Sequence, residues 1–435
     1  MLNVYFFVSH GFDGFGDFSF SIKTITYLKQ LWGDEHNFTI VSQPRGIKEL
    51  NTILPNQSTI NFLPLETFAK QLSDKAINID LFIEGPVFHP GAHSAYRGNQ
   101  AMIPLLPPKT KVLLMTEYCY DNAFSPKQVM NVLKPNPIML MQMGLEPSAH
   151  EVGIYISDKL LSYAKQQIEG HIELPSHYLF KLPAPLHTQL TDLGIDGTDT
   201  ELDMGDIELT MEYSHRYCKR FFQIHGQYAA TREQHFVVVA VGKETTKKEQ
   251  FIQEISPLKE NFKSITWLDL DSNTTTEIYT NPSSSVTRKY TVIHCQQLSL
   301  FQMHALQLLS GPIVGCTGDQ SLGETLSMAH IPVYECLPHK KLLAISLANR
   351  LRESELTIDP LELTIGVLRS QSALSAELIS VLSNDDALFS LRRALLSIAE
   401  RFNWKANHTT DLMQFKKILE KASISETHDS PTPAI

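Results

Sequence analysis

At 435 residues, 43% of them apolar, the chain is longer than one core ordinarily serves, so two domains are expected. A net charge of −10 disfavours nucleic acid as a general partner and offers no polybasic patch for a membrane, so an anionic ligand has to be held by local design. The scattered Cys119, Cys218, Cys295, Cys316 and Cys336 have no C-x-x-C spacing, which speaks against a disulfide framework or a zinc knuckle and for a reducing cytosol.

The opening MLNVYFFVSH lacks a basic segment and its apolar run is too short for a signal peptide. No later stretch approaches the roughly 18 apolar residues of a membrane span, so a cytoplasmic protein is expected. The apolar run at 4–9 leads into His10, Gly11, Phe12, Asp13, Gly14, Phe15, Gly16 and Asp17, and a helix is expected over about 18–31. Strand candidates follow at 38–42, 79–84, 111–116 and 138–143 with helical or polar stretches between them, the pattern of βα units and a parallel sheet. This first domain is expected over 1–230. It ends in an acidic loop from 187 to 212 and a linker helix at about 211–228.

A second β series begins at 236–242 and continues at 265–268, 290–294, 312–316 and 332–334, giving a second lobe over 231–385. Strand signals fade after Pro360, and the apolar spacing of 385–399 and 412–422 predicts C-terminal helices within 386–422. The polar, Pro-containing SISETHDSPTPAI at 423–435 is expected to be disordered. The fold class is therefore α/β, two Rossmann-like lobes with C-terminal helices.

Residues 311–341, GPIVGCTGDQSLGETLSMAHIPVYECLPHKK, carry the most chemistry. A strand ends at Thr317, Gly318, Asp319 and Gln320, and a helix expected to begin at Ser321 turns its unpaired N–H groups toward whatever occupies the turn, which suits a phosphate. Glu324 has two readings. It closes a capping box with Ser321, or it accepts hydrogen bonds from a ligand. After the next strand, His339 and Lys340 bring basic groups to the carboxyl end of the sheet, where ligands of open α/β sheets collect.

The order of these features, a glycine turn opening a helix in the first lobe, Gly242 and Lys243 at the end of the second lobe's first strand, then the turn and helix with Glu324, resembles glycosyltransferases of the two-lobed GT-B type. Gly16 and Asp17, with the segment Thr317 to Ser321, are locally similar to bacterial protein-arginine rhamnosyltransferases. The chain departs from that family in having Thr317 where it shows an arginine, one residue inserted before the serine, and Pro338, His339 and Lys340 in place of an aromatic and glutamine-rich stretch. The resemblance implies a nucleoside diphosphate sugar as donor, held mainly by the C-terminal lobe, with Glu324 on the ribose, and an acceptor presented by the N-terminal lobe. It leaves the sugar and the acceptor open.

Such a transfer has to stabilise a leaving diphosphate and deprotonate an acceptor. With no metal or other cofactor expected, the donor cradle falls to Gly16, Gly242, Lys243, Thr317, Gly318, Asp319, Gln320, Ser321, Glu324, His339 and Lys340. Lys243 also reads as part of a solvated basic turn with Lys247 and Lys248. Asp17 is the candidate base and Asp13 the alternative, while Asp17 equally suits the start of the helix as a cap. His89, His93, Arg97, Glu117 and Tyr118 follow strand ends and are candidates for shaping the acceptor site.

Three alternatives belong beside this. Asp269 and Asp271 form an Asp-x-Asp after a strand, the arrangement by which single-lobe glycosyltransferases hold a divalent cation, although a strand end followed by a Ser/Asn/Thr loop accounts for it without metal. A dehydrogenase fingerprint is excluded, because Gly11, Gly14 and Gly16 have the wrong spacing and no acidic residue ends the second strand. A nucleotide-sugar 2-epimerase and a catalytically inactive protein-binding scaffold share the expected architecture. The composition and tail also resemble those of bacterial effectors exported by type IV machinery, which would make the acceptor a host protein.

Overall fold

The computed structural model describes residues 1–8, 16–54, 60–86, 105–115, 138–141, 144–148, 151–170, 176–195, 207–213, 221–233, 235–242, 247–316, 318–334, 341–353 and 374–428. It divides into two compact units, the first made of Met1–Tyr155 with Asn403–Ile435 and the second of Ile156–Phe402.

Unit 1 contains β1 (Asn3–Phe7), α1 (Gly16–Trp32), β2 (Asn37–Ser42), α2 (Pro44–Ile53), β3 (Asn61–Pro64), α3 (Leu65–Ser73), β4 (Leu81–Glu84), β5 (Lys111–Met115) and β6 (Ile138–Met141), then the short pair β7 (Gly144–Ser148) and β8 (Glu151–Gly153). Its main sheet has the order β3-β2-β1-β4-β5-β6 and every pairing in it is parallel. That is the order of a Rossmann fold. Strands β4 and β5 are almost wholly buried apolar runs, as a sheet covered on both faces requires. Phe7, Val41, Phe68, Phe82, Val112 and Leu114 pack in one core.

Unit 2 contains α4 (Asp158–Ile168), α5 (Ala184–Asp192), β9 (Ile207–Tyr213), α6 (Phe221–Ala230), β10 (His235–Val241), α7 (Lys247–Ile255), β11 (Ser264–Asp269), β12 (Thr274–Thr280), β13 (Lys289–Cys295), α8 (Leu300–Leu309), β14 (Ile313–Cys316), α9 (Asp319–Ser327), β15 (Ile331–Tyr334), α10 (Lys341–Arg352), α11 (Ala376–Leu382) and α12 (Asp385–Arg401). Its sheet runs β12-β11-β13-β10-β9-β14-β15. All neighbours are parallel except the hairpin β11–β12. The remaining helix, α13 (Trp404–His428), returns to unit 1, where Trp404 N donates to Ile154 O at 2.9 Å and the Tyr27 hydroxyl donates to Lys405 O at 2.9 Å.

The two-lobed α/β expectation is met, and several boundaries differ. The first unit's main segment ends at Tyr155, not near 230. Segment 207–213, expected as the end of a loop and the start of a helix, is β9, which pairs with β10 along its whole length. The linker helix is α6, which belongs to unit 2, where Phe222 meets Phe251 edge-on at 4.7 Å. The expected C-terminal helices fall on different units, α12 on the second and α13 on the first. Segment 274–280, expected as loop, is the edge strand β12, half-exposed and rich in threonine. The segment expected to be disordered from 423 is helical through His428, and 429–435 lie outside the described residues.

Candidate functional site

Register places the carboxyl ends of five strands of unit 2 at one level. Val241 of β10 pairs with Cys295 of β13 and with Tyr213 of β9, Gly315 of β14 with Glu212 of β9, and Cys316 of β14 with Tyr334 of β15. The chain leaves β10 for the β11 side of the sheet and leaves β14 for the β15 side. The edge between them is thus a topological switch point, where open α/β sheets take their ligands.

Helix α9 opens at this edge. Its N-cap is Gly318, with extended φ −87 and ψ 152, a residue with no side chain of its own to cap the first turn. The helix starts two residues before the expected Ser321, which therefore sits inside the first turn. Its hydroxyl accepts from Gly318 N at 3.2 Å and donates to Gly318 O at 3.0 Å. The capping box of Ser321 with Glu324 does not form, because Glu324 lies in the second turn and faces α8 instead.

Glu324 is 7% exposed. Its Oε2 accepts from Gln307 Nε2 at 2.8 Å, and its Oε1 lies 3.4 Å from His304 Nε2. His304 and Gln307 stand three apart on α8, which puts them on one face. That spacing was the signal available in sequence, and it carries weight only once α8 is known to lie against α9. His304 Nε2 is not aligned as a hydrogen bond to Glu324, and among the described residues Gln307 Oε1 is buried without a partner. A carboxylate with unfilled polar atoms beside it is suited to sugar-like hydroxyls, which donate and accept together.

Gly242 ends β10 with φ +153. Its N–H does not point to a ligand, since it donates to Cys295 O at 2.8 Å. Its carbonyl accepts from His294 Nε2 at 2.9 Å. The Asp269 and Asp271 pair comes together with His294, a partner the sequence reading did not assign to it. Burial pushes the Asp269 carboxyl up, but the Ser272 amide and hydroxyl and the His294 ring outweigh it and hold the group below its ordinary range.

In unit 1, Asp17 is the second residue of α1 and half-buried, so the helix dipole favours its negative form. Among the described residues, no atom lies within 4 Å of a Cβ added to Gly16. Among the other expected site residues, Asp13, His89, His93, Arg97, Glu117, Tyr118, Lys243, Thr317, His339 and Lys340 lie outside the described residues. The backbone of Asp319 and Gln320 forms the first turn of α9, where Gln320 is buried.

No protein-family model and no curated protein matches the chain. Solved structures do resemble it in general form. An alpha-glucosyltransferase in complex with UDP and a 13-mer DNA containing a HMU base has a TM-score of 0.45 at 10% identity, over 97% of this chain and 99% of that one. Acinetobacter baumannii MurG gives 0.47 at 12% identity, over 97% and 100% of the two chains. Anabaena HepE in complex with UDP and glucose gives 0.46 at 10%, over 97% and 100%.

Proposed function

We propose that this chain is a glycosyltransferase that moves a sugar from a nucleoside diphosphate sugar to an acceptor, with the donor on unit 2 and the acceptor on unit 1. The observation that supports it is the pairing of the α9 N-terminus, whose N-cap Gly318 carries no side chain, at the switch point of the second sheet, with the buried carboxylate of Glu324 on the same helix. The amides of the first turn and the helix dipole stabilise the charge that develops on a departing diphosphate. Glu324, steadied by Gln307, accepts from the ribose hydroxyls. Lys243, Thr317, His339 and Lys340 complete the cradle in this reading, and Gly242 shapes its backbone. Cations and amides take the place of a metal on the diphosphate, and Asp17 removes the acceptor proton.

The test is a thermal melt of the full chain with UDP, GDP and dTDP and their sugars. One nucleotide is expected to raise the melting temperature in a saturable way, and a flat response to the whole panel refutes the reading. Incubation of the bound donor without acceptor then separates transfer from its relatives, because an epimer as product makes the protein an epimerase. A donor that binds yet is never turned over against protein and small-molecule acceptors makes it a scaffold.

A further inference from the structure

We propose that Gln307 of α8 is the positioning residue for Glu324, and that through it Gln307 sets how well the site distinguishes a nucleotide with sugar hydroxyls from one without them. The inference rests on the transfer reading and extends it to a side chain that does not itself touch the donor.

Gln307 Nε2 donates to Glu324 Oε2 at 2.8 Å, which ties α8 to α9. The amide nitrogen has to face the carboxylate, because an ionised carboxylate only accepts. Gln307 is wholly buried, and its backbone is held where α8 ends. Its carbonyl accepts from Ser310 Oγ at 2.9 Å and from Ser310 N at 3.4 Å. An ionised carboxylate offers about four acceptor sites. The amide occupies one of them, which settles the plane of the group without filling it.

Stability alone does not account for this residue. Gln307 is the one polar side chain among the buried positions of α8, beside Met303, Ala305, Leu306, Leu308 and Leu309. Its Oε1 is buried and, among the described residues, without a partner. Stripping water from an amide oxygen and leaving it unpaired costs about as much as a bond from Nε2 to a charged group returns. An apolar side chain of the same length would therefore serve the fold equally well, but it could not hold a carboxylate. A neutral donor also leaves the charge of Glu324 in place, so the group stays a strong acceptor for hydroxyls. A glutamate that its ligand must immobilise loses rotamer freedom on binding, and one already held does not. Because Gln307 acts through Glu324 alone, its loss carries a signature that damage to the fold does not share.

The experiment measures by calorimetry the affinity of the full chain for whichever of UDP, GDP and dTDP it binds, and for the 2′,3′-dideoxy form of the same nucleotide. Gln307→Met and Gln307→Leu, each checked by circular dichroism, remove the donor at similar volume, and either one that folds suffices. Affinity for the hydroxylated nucleotide should fall about 3- to 10-fold, and affinity for the dideoxy form by less than about twofold. In a Glu324→Ala background Gln307→Met should change neither value by more than about twofold, since the two residues act as one unit. Equal losses on both nucleotides, no loss on either, or a further loss in the Glu324→Ala background overturns the proposal and leaves the transfer reading in place. A parent chain that binds none of the three nucleotides overturns the transfer reading itself, and this inference with it.

Discussion

Replacing Glu324 by Gln separates a structural role from a ligand role. The side chain keeps its shape, and its carbonyl oxygen still accepts from Gln307 Nε2, now at 2.8 Å from Glu324 Oε2. His304 Nε2 is not hydrogen-bonded to the carboxylate, so what changes in the free protein is the smaller gain of a neutral over a charged acceptor toward Gln307. The free variant should therefore melt within about 1 kcal/mol of the parent. Bound nucleotide tells a different story, since a hydrogen bond to a charged group contributes about 1.5–3 kcal/mol, or about 10- to 100-fold in affinity. With nucleotide at about 100 times its dissociation constant the parent gains about 2.7 kcal/mol, and the variant should gain only about 0.4–1.4 kcal/mol at the same concentration. In a cooperative unit of the size of unit 2, Ile156–Phe402, each kcal/mol moves the melting temperature by roughly 2 °C, so a fluorescence melt resolves the difference. A Glu324→Gln protein that keeps the full nucleotide gain would refute the assignment of this carboxylate to the ligand.

Asp17→Asn should reduce sugar transfer by at least about a hundredfold while leaving the nucleotide-induced melting shift unchanged, as loss of a general base requires, and a variant with normal turnover counts against the assignment. His225 is fully buried against Tyr290, with Nδ1 2.6 Å from the Tyr290 hydroxyl, and burial followed by the nearby Arg232 charge pushes its pKa down to about 3. The unfolded chain therefore binds the extra proton first. The stability that His225 lends is complete above about pH 6.5 and falls by up to about 1.4 kcal/mol per unit as pH drops from there toward 3. Urea melts at pH 7, 5.5 and 4.5 should show a shallower fall for His225→Gln than for the parent, and parallel slopes would refute this. Trp404→Ala empties a fully buried site that meets the Tyr27 ring edge-on at 6.0 Å, so a loss of about 3–5 kcal/mol is expected in unit 1, checked by denaturant melts followed by tryptophan-independent circular dichroism.

What sequence revealed followed burial. The run at 236–241 is fully buried in β10, and a continuous apolar stretch announces itself. The strand β9 hides because Ile207, Leu209, Met211 and Tyr213 alternate with two glutamates and a threonine behind an acidic stretch, and period two was masked by charge. The edge strand β12 hides for the opposite reason, since its threonines are mostly turned to solvent and resemble a loop until β11 pairs with them. At the candidate site the strand, glycine turn and helix of 313–327 were legible. The exact start of α9 was not, because Ser321 satisfies a cap pattern equally well from within the first turn. The contacts of Glu324 with α8 and of Asp269 with His294 depend on packing between segments 17 and 25 residues apart, which no local pattern encodes.

Unit 2 interrupts unit 1 in the sequence. The chain leaves unit 1 after Tyr155 and re-enters it at Asn403, where Ile154 and Asn403 form a parallel bridge. During synthesis the amino-terminal sheet thus emerges without the helix that covers Tyr27 and Trp404's neighbours, and it has to wait while 247 intervening residues, Ile156 to Phe402, are made. The inserted unit has all its segments as soon as it leaves the ribosome. Nascent chains arrested shortly after Phe402 should accordingly hold a protease-resistant second half beside a vulnerable first one.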